Sequence, residues 1–175
     1  ADVGGEPMIA RVAETALASR ARPVVVVTGH EAEKVAAALA GLAVGIVPNP
    51  DYAQGLSASL KVGIGALRET GVAGALVLLG DMPHLKAPTL DRLIAAFEQS
   101  GGQAICVPEA AGVRGNPVLW PADLFAAIAG LAGDKGAREL LARHPDRVKT
   151  VPAEAREIHA DVDTPEDLAK ARESL

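Results

Sequence analysis

The sequence predicts an α/β protein built on a mostly parallel sheet with helices on both faces. Three observations carry this. Continuous apolar runs at Val24 to Val27, Ala75 to Leu79 and Ala104 to Val107 read as strands buried on both sides. Segments of helical period separate these runs in strict alternation. Hydrophobic residues make up 49% and aromatics only 2%, so the core is packed from Ala, Val, Leu and Ile. The 175 residues suit one domain, and no linker, repeat or low-complexity stretch divides them.

Met8, Ile9, Val12, Ala13, Ala16 and Leu17 fall at helical spacing and predict a helix from about Glu6 to Ser19. Pro23 precedes the first strand, and Thr28-Gly29-His30 turns out of it. Glu31 and Glu33 open a short helix, where the helix dipole favours acids. Ala43 to Val47 is a strand stopped by Pro48-Asn49-Pro50-Asp51. A helix from Ser57 to Glu69 buries Leu60, Ile64 and Leu67, and the strand Ala75 to Leu79 follows. Leu90, Leu93, Ile94 and Phe97 mark the next helix, with Pro88 near its start and Ser100-Gly101-Gly102 closing it. Beyond Val107 the order changes. Gly112 to Leu119 reads as loop then strand, with helices near Ala122–Ala129 and Ala137–Ala142. Val148–Val151 and Ile158–Val162 read as short strands. Thr164-Pro165-Glu166-Asp167 opens a last helix, with Thr as cap and Pro at the first helical position.

A net charge of −5 without a basic run argues against nucleic acid as a partner. The single cysteine, Cys106, sits in an apolar strand as a small buried residue and excludes a disulfide framework. No apolar stretch is long enough for a bilayer and no signal peptide is visible, so the expected setting is cytoplasmic, with no membrane partner.

Four segments hold polar residues that secondary structure does not require. In Asn49 to Leu60, free N–H groups and hydroxyls at Ser57 to Ser59 suit an anion or nucleotide, and Gly55 allows close backbone approach. Equally, Ser57 could simply cap its helix. Gly80-Asp81-Met82-Pro83 puts an acid just past the carboxyl end of a strand, where open α/β sheets bind ligands. Asp81 is either a hard oxygen ligand for Mg²⁺ or a turn residue. Gly112 to Pro117 sets Arg114 between glycines, as a phosphate reader or as a solvated hairpin arginine. Asp161 and Asp163 are two apart in a predicted strand and share a face about 7 Å apart. A cation between them, or a cap acid beside a solvent acid, accounts for the pair. Asp134-Lys135-Gly136-Ala137-Arg138 is a fifth, weaker candidate. His30 is a modest site candidate, whereas His84, His144 and His159 read as surface residues. No zinc spacing and no nucleophilic triad is legible.

Across these segments the sequence resembles the MobA-like nucleotidyltransferase family, in particular its molybdenum cofactor cytidylyltransferase branch. The matching motifs are Thr28-Gly29-His30, Asn49-Pro50-Asp51-Tyr52 with Gly55 and Ser59, Gly80-Asp81-Met82-Pro83, Arg114-Gly115-Asn116-Pro117-Val118, Gly133 to Arg138, and Asp161 to Leu168. The resemblance implies a three-layer Rossmann-like fold and Mg²⁺-dependent transfer from CTP to the phosphate of molybdopterin, with pyrophosphate released. It implies a catalytic set of Asp81, Asp163 and Arg114, with Mg²⁺ on Asp81 and on Asp161 or Asp163. Asn49, Gly55, Ser57, Ser59 and Gly80 would bind the nucleotide. Gly115, Asn116, Asp134, Lys135 and Arg138 would face the acceptor. A molybdoenzyme or a fused molybdopterin-binding domain is the implied macromolecular partner.

One departure is large. The family opens with a strand and a Gly-rich loop, Leu-Ala-Ala-Gly then Arg-Met-Gly and a Lys, which cradles the triphosphate. Val3 to Met8 fits the stretch just after it. Residues 1–175 are therefore expected to form a single nucleotidyltransferase domain short of its first strand and loop, and inactive or nearly so without them. Guanylyl or sugar-phosphate transfer, and a non-catalytic nucleotide- or pterin-binding module, are the alternatives. A phosphatase built on Asp161-Val162-Asp163-Thr164 is rejected, because only twelve residues follow Asp163. A dinucleotide oxidoreductase lacks its Gly-x-Gly-x-x-Gly.

Overall fold

The computed structural model describes residues 2–3, 6–131 and 136–159. Asp134, Lys135, Asp161, Asp163 and the helix expected from Thr164 lie outside them.

The chain opens with a small antiparallel pair, β1 (Asp2–Val3) and β2 (Glu6–Pro7), and helix α1 (Met8–Ala18). The predicted helix thus loses Glu6 and Pro7 to a strand pairing. β3 (Val25–Thr28), α2 (Ala32–Ala38) and β4 (Gly45–Pro48) form a parallel unit in which Val25 pairs with Gly45 and Thr28 with Pro48. Next come α3 (Leu56–Leu67), β5 (Gly74–Val77) and α4 (Ala87–Gln99), whose second residue is Pro88. Strand β5 ends two residues sooner than expected, so Leu78 and Leu79 belong to the rim.

The remaining strands are β6 (Ile105–Ala110), β7 (Val113–Arg114), β8 (Val118–Pro121) and β9 (Val148–Pro152). Helices α5 (Phe125–Ala129) and α6 (Gly136–Arg143) lie between β8 and β9, and α7 (Ala155–Ile158) follows β9. β9 runs parallel to β6. β8 inserts between β5 and β6, antiparallel to both. β5, β6 and β9 therefore point one way and β8 against them, which is how a mostly parallel pattern yields a mixed sheet. Ile158 closes a helical turn instead of opening the strand expected at Ile158–Val162.

Side chains alternate along the sheet, as the pleat requires. Ile105, Val107, Val118 and Trp120 pack with Ile64 of α3, Phe125 and Ile128 of α5 and Leu140 of α6. Cys106 and Leu119 pack on the other side with Leu93, Ala96 and Phe97 of α4. This is the three-layer arrangement expected, and burial raises the Cys106 thiol pKa as befits an inert core residue. Met82, Leu85 and Leu90 make a third cluster directly behind the Gly80–Pro83 loop. Among the described residues no helix is long and apolar enough to cross a membrane.

Candidate active site

Two of the candidate segments follow the carboxyl ends of strands: Asn49 to Ser57 comes after β4, and Gly80 to Pro83 after β5. Asn49 follows β4 and is only 2% exposed. Its Nδ2 donates to Ser59 Oγ at 3.0 Å, and its Oδ1 accepts from the Asp51 N–H at 3.0 Å. Asn49 therefore ties the loop to α3. Gly55 is the residue before α3, with φ 101° and ψ 178°, a backbone that side-chain-bearing residues rarely adopt, and no side-chain cap is present. Ser57 lies inside the first turn, buried, so it is not the cap. Its side chain lines a pocket of about 250 Å³ with Asn49, Asp51, Gln54, Ala58, Lys61 and Val62. In this first turn the Ala58 N–H donates to the Gly55 carbonyl at 3.1 Å, which closes the loop onto α3. His30 and Tyr52 stand beside it, ring centroids 6.1 Å apart.

Asp81 sits at the tip of the Gly80–Pro83 turn, half-buried, with Oδ1 shielded from solvent. The turn is braced from α1, where Ile9 lies under Gly80 and Thr15 Oγ1 donates to the Leu85 carbonyl at 3.4 Å. His84 is half-buried in the same loop, not a surface residue. Burial, with Arg156 and Arg11 behind it, lowers its pKa.

Arg114 is exposed on the short arm of a hairpin, opposite Glu109. Ala111 (φ 49°) and Gly112 (φ 79°) supply the two positive φ angles that a tight hairpin turn requires. Gly115 is where the backbone of α7 comes closest: a Cβ there would meet the Ile158 carbonyl oxygen at 2.4 Å. The Asn116 N–H donates to that same carbonyl at 3.4 Å. Arg138 is exposed on α6.

Behind this junction lies a cluster with no signature in the sequence. Glu157 of α7 is 3% exposed. Thr89 Oγ1 donates to its Oε2, and Lys86 Nζ lies 3.1 Å from its Oε1. Arg92 Nη2 donates to Thr89 Oγ1 at 2.9 Å. The Glu157 carboxylate, by hydrogen bond and charge, raises the Lys86 pKa. Through Glu157, Ile158 and Gly115, α7 joins the Arg114–Asn116 turn to Lys86, the residue before α4 and five past Asp81.

Among the described residues no three His, Cys, Asp or Glu side chains converge on a metal position. Asp81 supplies a hard oxygen donor of the kind Mg²⁺ or Mn²⁺ takes. Any partner from Asp161 or Asp163 lies outside the described residues.

The mixed, open sheet with helices on both sides is a Rossmann-like nucleotidyltransferase fold. The model of the MobA-like NTP transferase domain matches residues 1–148, and the chain belongs to that family. The crystal structure of Rv0371c from Mycobacterium tuberculosis H37Rv in complex with manganese is similar, with a TM-score of 0.79 and 28% identity over 96% of this chain and 86% of that one. Nicotine blue oxidoreductase of Paenarthrobacter nicotinovorans is 29% identical over 170 residues, covering 94% of this chain and 82% of its own length. The bifunctional protein GlmU of Leifsonia xyli subsp. xyli is 36% identical over 103 residues, or 58% of this chain. The chain matches only 21% of the length of that GlmU.

Proposed function

We propose that this protein transfers the nucleotidyl group of CTP to the phosphate of a molybdopterin-type acceptor, with Mg²⁺ on Asp81 and on Asp161 or Asp163. The observation that carries the reading is the docking of Ile158 and His159 against Gly115 and Asn116, while Glu157 holds the start of α4. In this reading the Asp81, Arg114 and Asp161–Asp163 motifs, far apart in sequence, serve one rim. Asp161 follows His159 by two residues, within a reach of about 7 Å.

In this reading an acceptor phosphate oxygen bonds to the α-phosphorus as the bond from that phosphorus to the bridging oxygen breaks. Pyrophosphate leaves in line with the electron pair. The acceptor is already an anion, so the site needs no strong base. Mg²⁺, when bound, neutralises and orients the phosphate oxygens. Asn49 holds the loop against Ser59 so that Gly55 and Ser57 present backbone and hydroxyl to the base and ribose, with Gly80 beside them. Lys61 brings a positive charge to the same pocket. Arg114, Lys135 and Arg138 add charge on the acceptor side, where Gly115, Asn116 and Asp134 shape the surface. A molybdoenzyme or a fused molybdopterin-binding domain would take the product, in the cytoplasm, where the buried Cys106 stays reduced.

We read residues 1–175 as one domain whose sheet takes a further strand between β3 and β5, carrying the Gly-rich phosphate loop. Among the described residues β3 and β5 pair with no common strand, yet both pack on α3. Val25, Val26 and Val27 are only half-buried.

Calorimetric titration of the full-length protein with CTP and with GTP, each with and without Mg²⁺, tests the reading. CTP should bind only with Mg²⁺, and Asp81→Asn should remove that dependence. Indifference to both nucleotides overturns it. Binding of GTP alone would make it a guanylyl transferase.

A further inference from the structure

We infer that Glu157 is a positioning residue for the Arg114–Asn116 turn, which it fixes through a buried strut from the head of α4 to α7. It rests on the reading that this turn faces the acceptor phosphate. The turn needs outside support. The hairpin that carries it pairs over only the two residues of β7, Arg114 with Glu109 and Val113 with Ala110, and Ala111 to Arg114 are all exposed. So short a ribbon does not hold its own position in water. One side of the turn is tied to the sheet, where the Gly115 N–H donates to the Pro108 carbonyl at 3.0 Å. The other side rests on α7. The Asn116 N–H donates to the Ile158 carbonyl at 3.4 Å, and Gly115 carries no Cβ to keep that carbonyl away.

Helix α7 has four residues, too few to stand alone. Its anchor is specific. Glu157 is 3% exposed, its Oε2 accepts from Thr89 Oγ1, and its Oε1 lies 3.1 Å from Lys86 Nζ. Arg92 Nη2 donates to the Thr89 hydroxyl at 2.9 Å. The far end is held by the core, since Leu90 and Leu93 of α4 are fully buried. A buried ion pair seldom adds stability over an apolar side chain of the same size. What it adds is direction. Two carboxylate oxygens with two partners at one helix start set the rotation of α7, and Ile158, next in the chain, carries that rotation to the Asn116 N–H. A hydrogen bond of 3.4 Å is already long, and a displacement of about 0.3 Å breaks it. Arg114 and Asn116 then lose their placement. Arginine reads a phosphate through N–H···O bonds of about 2.7–2.9 Å, so placement decides how well the turn binds.

Steady-state transfer by the full-length protein, with CTP and molybdopterin each varied in turn, tests this alongside the melting temperature. Glu157→Gln keeps the side chain's size and removes its charge. It should raise the molybdopterin KM about 10-fold, within the roughly 100-fold that a misplacement of about 1 Å can cost, and leave the CTP KM unchanged. Lys86→Met, at a side chain 47% exposed, should act in the same direction. A wild-type molybdopterin KM in folded Glu157→Gln overturns the inference even if the melting temperature falls, since Glu157 then serves the fold alone. An equal rise in both KM values overturns it too, because the effect is then not confined to the acceptor side. Should Glu157→Gln not fold, Lys86→Met decides by the same criteria. Arg114→Gln separates the two claims, for it should raise the molybdopterin KM by itself. A wild-type value there, or no transfer to molybdopterin by the wild-type protein, overturns the acceptor reading of the turn and the role of Glu157 with it.

Discussion

The sheet of β5, β8, β6 and β9 and the β3–β4 pair both rest on α3, but they are covered very differently. In the larger sheet Ile105, Cys106, Val107, Val118, Leu119 and Trp120 are all buried, with helices on both faces. In the smaller pair three successive valines stay half-buried, and Ile46 is 41% exposed. Both are apolar and rich in β-branched residues, so local sequence does not separate them. Neighbours do. A strand becomes core only when strands flank it on both edges and layers cover both faces. The larger sheet meets that condition from its own residues. Among the described residues the β3–β4 pair has no third strand.

Trp120→Ala should break the larger sheet most, at about 3–5 kcal/mol in urea midpoint experiments, because it empties a site between β5, α3 and α5. A loss under about 1 kcal/mol would place the true core elsewhere. Gly115→Ala comes next. Its Cβ would press on the Ile158 carbonyl, and about 1–3 kcal/mol should be lost as α7 is pushed off. Hydrogen exchange should show α7 opening first. Val26→Ala sharpens the contrast from the other side. With half the side chain already in water, it should cost only about 1 kcal/mol in residues 1–175. It should cost more in a protein that carries the additional strand, and equal costs would argue against that strand.

The smallest effect is titration at His84, in the loop from β5 to α4. Its pKa is lowered in the fold, so the unfolded chain takes up the proton first as pH falls through about 6.5. The associated stability is fully present above that pH and is lost as pH drops toward the folded value. His84→Gln should flatten the fall in urea midpoint between pH 7.5 and 5.5 relative to wild type. Parallel curves would show that the charge near Arg156 and Arg11 has no weight.

Much of this was legible because it is periodic or local. The apolar runs marked β3, β5 and β6, the 3.6-residue pattern marked α1 and α4, and Pro88 with Ser100-Gly101-Gly102 marked the ends of α4. The insertion of β8 between β5 and β6 was not legible, since strand order is set by pairing across distance. Ser57 looked like a cap by residue type, but Gly55 occupies that position through a φ that no composition reveals. Of the site, the rim position of Asp81 and the exposed hairpin Arg114 could be read from turn signals. Glu157 could not. In sequence it is one more acid beside an arginine, and its partners lie 68 residues away at Thr89 and nearby at Lys86. Its burial is a property of the fold alone.

The central claim is nucleotidyl transfer at the Asp81 rim. Its most direct test is to give the full-length protein CTP labelled at the α-phosphate, Mg²⁺ and molybdopterin, and to follow the label and pyrophosphate together. The account predicts label on the pterin, one pyrophosphate per transfer, and a loss of about 100-fold or more with Asp81→Asn. Transfer that survives Asp81→Asn unchanged, or no pyrophosphate with any nucleotide and acceptor, would contradict it.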